Sequence, residues 1–104
     1  MSNDLTIVAT ITTKDELRYS PAGLPVLKFS IEHFSKQIEV KHQRQVHLNL
    51  ECIAIGDKAL QVDEIEVGST LGLQGFLMNK GARSRWPVLN VQELNKMKLY
   101  FTMK

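Results

Sequence analysis

Lys80, Arg83, Arg85 and Trp86 fall within seven residues and bring two chemistries together. The cations can neutralise phosphates, and the indole offers a flat face on which a base can stack. A second basic stretch holds Lys36, Lys41, His42 and Arg44, with Phe34 at its base and His47 just beyond it. Phosphate attraction adds over several sites, each neutralised single-strand phosphate contributing about 0.7 to the salt slope. Each group also has a plainer use. Exposed cations keep a hairpin soluble, Trp86 beside Pro87 can plug a barrel end, Phe34 can be a buried anchor, and Tyr19 can pack. Lys14, Arg18 and Lys28 extend the positive track if their strands face outward, whereas Glu32 and Glu51 would repel a phosphate backbone.

Catalytic chemistry has little to work with. His33, His42 and His47 have no zinc-motif spacing, and Cys52 supplies one thiolate. Asp63 and Glu64 are adjacent, and neighbours in a strand or loop point apart more often than together. Ser20 has no recognisable base. Gly72 and Gly75 sit inside a strand pattern, the wrong context for a phosphate-cradling loop. The expectation is a binding protein, not an enzyme, with no metal or nucleotide cofactor.

A chain of 104 residues, 43% hydrophobic, supports a single globular domain spanning 1–104. Its small core leaves both a monomer and a dimer open. The net charge of +2 excludes a disordered polycation, so the distribution of charge matters more than its total. Residues 57–66 carry four acids against Lys58, whereas residues 80–85 carry three bases and no acid. A lone cysteine fits a reducing compartment. No leader pattern opens the chain and no 18-residue apolar run crosses it, so the expectation is a soluble cytoplasmic protein without a membrane partner.

The elements that must position these residues are strands. Leu5, Ile7, Ala9 and Ile11 recur at period two. Lys14–Tyr19 reads as a twisted continuation or a loop. Ser20-Pro21-Ala22-Gly23 has the residues of a type I turn. Leu27, Phe29 and Ile31 face one side of a second strand, which His33 and Phe34 extend. Ser35–Arg44 is polar enough for a projecting loop. A third strand puts Val46, Leu48, Leu50, Cys52 and Ala54 on one face, with His47, Asn49 and Glu51 opposite. Asp57 can cap a short helix reaching Leu60 or Val62, although a single irregular turn fits equally. The bend at Gly68-Ser69 feeds a fourth strand through Leu71, Leu73, Gly75 and Leu77. Leu89 and Val91 begin a fifth, with Glu93 as a candidate third position. The tail after Leu94 alternates less cleanly, and Met97, Tyr100, Phe101 and Met103 in it can form an apolar contact surface. Five bent strands, three before a short linker and two after it, look like an all-β, five-stranded oligonucleotide-binding (OB) barrel, with another small barrel or an open meander as the competing architecture.

Several stretches carry a family resemblance: Asn3 with Leu5, Ser20-Pro21-Ala22-Gly23-Leu24-Pro25, Phe29-Ser30-Ile31-Glu32-His33, Arg44-Gln45, Val67-Gly68-Ser69 and Gln74-Gly75-Phe76. With these the chain resembles the primosomal replication protein N family, relatives of bacterial single-stranded DNA-binding protein, to about Leu94. The resemblance implies a homodimer of OB folds that binds single-stranded DNA. It also implies partners: a primosomal restart helicase, stabilised on DNA, and a helicase-loader protein. The family's basic contact positions match Arg44, fall near Lys80, Arg83 and Arg85, and place one near Arg18 or Tyr19. One departure concerns His47, where family members can carry tryptophan. Trp86 can compensate by stacking from its loop. The rival readings are a protein-interaction module whose basic loops touch an acidic partner, and a generic single-strand protector.

Overall fold

The computed structural model describes residues 1–97; Tyr100, Phe101 and Met103 lie outside the described residues. Six strands and one helix follow in the order β1 (Leu5–Lys14), β2 (Arg18–Tyr19), β3 (Pro25–Glu39), β4 (His42–Ile55), α1 (Asp57–Asp63), β5 (Thr70–Asn79) and β6 (Pro87–Lys96). Five long strands close into a ring, β1-β5-β6-β4-β3 and back to β1, and the two-residue β2 pairs on the outer edge of β3. Every pairing is antiparallel except β4 with β6, which is parallel over Glu51–Ile53. Closure removes the sheet edges that would otherwise invite association.

Alternation does the sorting. Ile7, Ala9 and Ile11 of β1, Leu27, Phe29 and Ile31 of β3, Leu50, Cys52 and Ala54 of β4, Leu71 and Leu73 of β5, and Leu89 and Val91 of β6 fill the barrel. The Ser20–Gly23 turn forms as expected, its Gly23 N–H donating to the Ser20 carbonyl at 2.8 Å. The helix forms as well, and it sends Ala59 and Val62 into the core. Its N-cap is Gly56, not Asp57. Gly56 adopts φ 74°, and Asp57 stands one residue later in the first turn, where its charge suits the helix dipole. Lys14 closes the other end. Its ammonium donates to the carbonyls of Val62, Asp63 and Ile65 at 3.3, 3.0 and 2.7 Å, which removes it from any outward track.

Gly75 is fixed by close approach. The strand register shifts between Gln74 and Gly75, and a Cβ at Gly75 would overlap the Asn90 carbonyl oxygen of β6. A glycine is what lets these two strands stay paired through the irregularity.

The largest departure from the sequence reading is Ser35–Arg44. It is no loop but two strand arms, paired rung by rung from Phe34↔His47 to Glu39↔His42. The turn is Val40-Lys41, with φ 48° and 68°, the left-handed backbone of a two-residue hairpin. The eight rungs beyond Ile31↔Leu50 extend roughly 26 Å past the barrel. Val46 and Leu48 share a parity with the core residue Leu50, yet Leu48 is exposed because the ribbon has outrun the interior.

Candidate nucleic-acid interface

Register decides which side chains share a surface, because residues directly opposite in a ladder project to the same face and alternate residues return to it. Starting from Leu27, Phe29 and Ile31 in the core, the outward residues of β3 are Val26, Lys28, Ser30, Glu32, Phe34, Lys36 and Ile38. Opposite them on β4 stand Ile55, Ile53, Glu51, Asn49, His47, Gln45 and Gln43. Arg18, paired with Val26, joins the same face from β2. One continuous outer surface therefore carries Arg18, Lys28, Phe34, Lys36 and His47.

The β5–β6 hairpin borders that surface. Lys80 is tied to it, its Nζ 3.1 Å from Oε1 of Glu51. The hairpin loop is shaped by its own backbone. The Lys80 N–H donates to the Trp86 carbonyl at 2.8 Å, Ser84 N–H to the Gly81 carbonyl at 3.0 Å, and Trp86 N–H to Ser84 Oγ at 3.0 Å. This leaves Arg83, Arg85 and Trp86 exposed at its tip. Trp86 is 74% exposed, so it does not plug the barrel. Between the hairpin and the β3–β4 face lies a groove of about 380 Å³, lined among others by Asp15, Lys28, Glu51, Ile53, Met78 and Lys80.

Phe34 and His47 are the feature that separate inspection of each residue would miss. Their rings stack with centroids 4.3 Å apart and planes within 8°. Nε2 of His47 lies 2.9 Å from Oε2 of Glu32, which holds the imidazole in place under the phenyl ring. Phe34 is 66% exposed, an open aromatic surface and not a buried anchor. Tyr19 is exposed too and does not pack.

Not every candidate joins this surface. Arg44 lies opposite Gln37, on the other parity of the ribbon, and its Nε meets Oε1 of Glu39 at 2.6 Å. Lys41 sits in the hairpin turn at the ribbon's end. Arg18, Lys36, Lys41, Arg83 and Arg85 have no ion pair among the described residues, whereas Arg44, His47 and Lys80 each face a carboxylate. Exposed pairs of this kind contribute little to folding and yield readily to a phosphate. His33 is structural: Nδ1 meets the Val8 carbonyl at 2.7 Å and Nε2 meets Ser35 Oγ at 2.9 Å. Cys52 is 2% exposed, and burial, reinforced by the Glu51 charge, pushes its thiol up to about 12. It is a core residue and not a reactive one.

The groove residues Ile53, Met78 and Asn90 escaped the sequence reading. A signal was present: Ile53 and Ile55 fall on the outward parity of β4, so two apolar residues occupy positions that a fully solvated face would leave polar.

A closed barrel with a helix between its third and fourth long strands, a stacked aromatic pair on its outer face and a basic hairpin beside it defines an oligonucleotide-binding protein fold. The chain matches the family model described as another single-strand binding protein family over residues 3–93, and it belongs to that family. Replication restart protein PriB of Nitrosomonas europaea is 36% identical over 91 residues, covering 88% of this chain and 84% of that one. PriB of Neisseria gonorrhoeae is 32% identical over 97 residues, covering 93% and 96%. Among solved structures, PriB of Ralstonia solanacearum superposes with a TM-score of 0.84 at 28% identity, covering 94% of this chain and all of that one. The single-stranded DNA binding protein of Thermus aquaticus shares the fold, with a TM-score of 0.75 at 19% identity over 93% of this chain and 50% of that one.

Proposed function

We propose that this protein binds single-stranded DNA as a non-enzymatic accessory of replication restart. In this reading it acts in the cytoplasm as a homodimer, keeps a primosomal restart helicase on DNA and assists a helicase loader. The observation that carries the DNA-binding part is the outer β3–β4 face. Phe34 stacked on His47 supplies a base platform, and Arg18, Lys28 and Lys36 on the same face, with Lys80, Arg83 and Arg85 beside it, supply phosphate contacts. Names of the PriB relatives support the restart context. Base stacking tolerates any sequence and phosphate contact ignores it, so the surface suits an unpaired strand met at many places in a genome.

The test is fluorescence anisotropy with a labelled oligonucleotide over a salt series. Arg83→Ala with Arg85→Ala removes two cations that have no ion pair among the described residues and lowers the salt slope by about 1.4. An unchanged slope removes the hairpin from the interface. Absence of binding by the unaltered protein at about 50 mM salt, where phosphate attraction is strong, defeats the DNA-binding reading. Tight binding of an acidic protein in that case would favour an interaction module instead.

A further inference from the structure

The groove beside the hairpin has a balance of charge that the basic hairpin tip lacks. Thr13, Ser30 and Glu51 form one row across its floor, and Asp15, Lys28 and Ile53 lie alongside. Two carboxylates therefore face two lysines, and Lys80 is already engaged by Glu51 at 3.1 Å. The Asp15 carboxylate has no hydrogen bond or ion pair among the described residues, although its backbone N–H is held by the Lys28 carbonyl at 2.9 Å. Ile53, Ile55, Met78 and Val88 add apolar lining, and Asn79 and Asn90 add amide groups at the hairpin side. With its two lysines balanced by two carboxylates the groove adds no net attraction for a polyanion, whereas a flat, neutral heterocycle finds apolar residues and, in Asp15, an acceptor with no hydrogen bond among the described residues. The volume of about 380 Å³ lies within the range of small-molecule sites.

The acceptors also choose among heterocycles. Cytosine and adenine present an exocyclic amine, and a carboxylate accepts from such a donor. Thymine and uracil present a carbonyl oxygen in the corresponding place, which leaves two acceptors facing each other without a proton between them. We propose that this groove receives one base of the bound strand and prefers an amino-bearing base, with Asp15 as the specificity-determining acceptor. The proposal rests on the single-stranded DNA reading above. It adds a base preference to a surface whose other contacts are indifferent to sequence.

Deoxycytidine and deoxyuridine oligomers of equal length make the decisive pair, because cytosine and uracil share one ring and differ in the amine or carbonyl group and the adjoining ring proton. Competition anisotropy against one labelled strand, at matched salt and neutral pH, should show the deoxycytidine oligomer binding about tenfold tighter. In Asp15→Asn, which keeps the size but adds a donor, the ratio should fall towards one. Equal affinities in the unaltered protein, or a deoxyuridine preference, overturn the proposal while leaving DNA binding intact. A ratio that survives Asp15→Asn overturns the assignment to Asp15. Failure of both oligomers to bind defeats the DNA reading and this proposal with it.

Discussion

Replacing Phe34 by alanine separates a base platform from a core anchor, because the two roles put the cost in different measurements. About a third of Phe34 is covered, since it is 66% exposed. A fully buried phenylalanine removes about 200 Å² from water, so about 70 Å² is at stake here, or about 1.7 kcal/mol at 25 cal/mol per Å². That figure is an upper bound, because an unfolded chain already covers part of its apolar surface. Truncating the 3%-exposed Phe29 instead should cost about 3–5 kcal/mol. The affinity change runs the other way. A stacked base is worth about 1–3 kcal/mol, so Phe34→Ala should weaken single-strand binding by roughly 5–150-fold. The salt slope should stay constant, because no phosphate contact is lost. Urea unfolding gives the first quantity and anisotropy over a salt series gives the other two. A loss of stability above about 3 kcal/mol with unchanged affinity would refute the platform, since that is the signature of a core residue.

Two further expectations concern the frame that holds this surface. Gly75→Ala drives a Cβ into the Asn90 backbone of β6, which cannot swing aside as a side chain would. It should cost about 3 kcal/mol, the upper end of what overpacking usually costs, in urea unfolding, and a loss under about 1 kcal/mol would contradict the close approach. The Cys52 thiol, pushed up to about 12 in the fold from 9.0, keeps its proton where the unfolded chain has released it. Its contribution is therefore fully present below about pH 9 and lost as pH rises towards 12, at up to about 1.4 kcal/mol per unit. The free energy of unfolding across that window should fall more steeply for the unaltered protein than for Cys52→Ala, and parallel curves would contradict it.

The barrel was legible because its strands fill an interior. Leu27, Phe29 and Ile31, or Leu71 and Leu73, repeat at period two only because every second side chain must be buried. The ribbon had no such constraint. Ser35–Arg44 encloses nothing, so its sequence carries no burial signature, and the Val40-Lys41 turn lacks the Gly, Asn or Asp that marks a two-residue hairpin. With the ribbon read as a loop, Phe34 and His47 had no register to bring them together. Each was a candidate by residue type, and only the Phe34↔His47 rung makes them one platform. Arg44 shows the converse: its charge is visible in sequence, but the rung with Gln37 sets it on the other side of the ribbon. The acidic members of the groove were hidden for a further reason. Glu51 reads as an obstacle to a phosphate backbone, and its use becomes visible once Lys80 and Asp15 are seen around the same space.

The central claim is that an unpaired strand lies along the outward face of β3 and β4, between the stacked rings and the basic hairpin. Amide chemical-shift mapping of the isotope-labelled protein during an oligonucleotide titration tests it most directly. The largest changes should fall on Lys28, Ser30, Phe34, Lys36, His47 and the 80–86 loop. Changes gathered instead on α1 and the outward side of β1 and β5, with Phe34 and His47 silent, would contradict it.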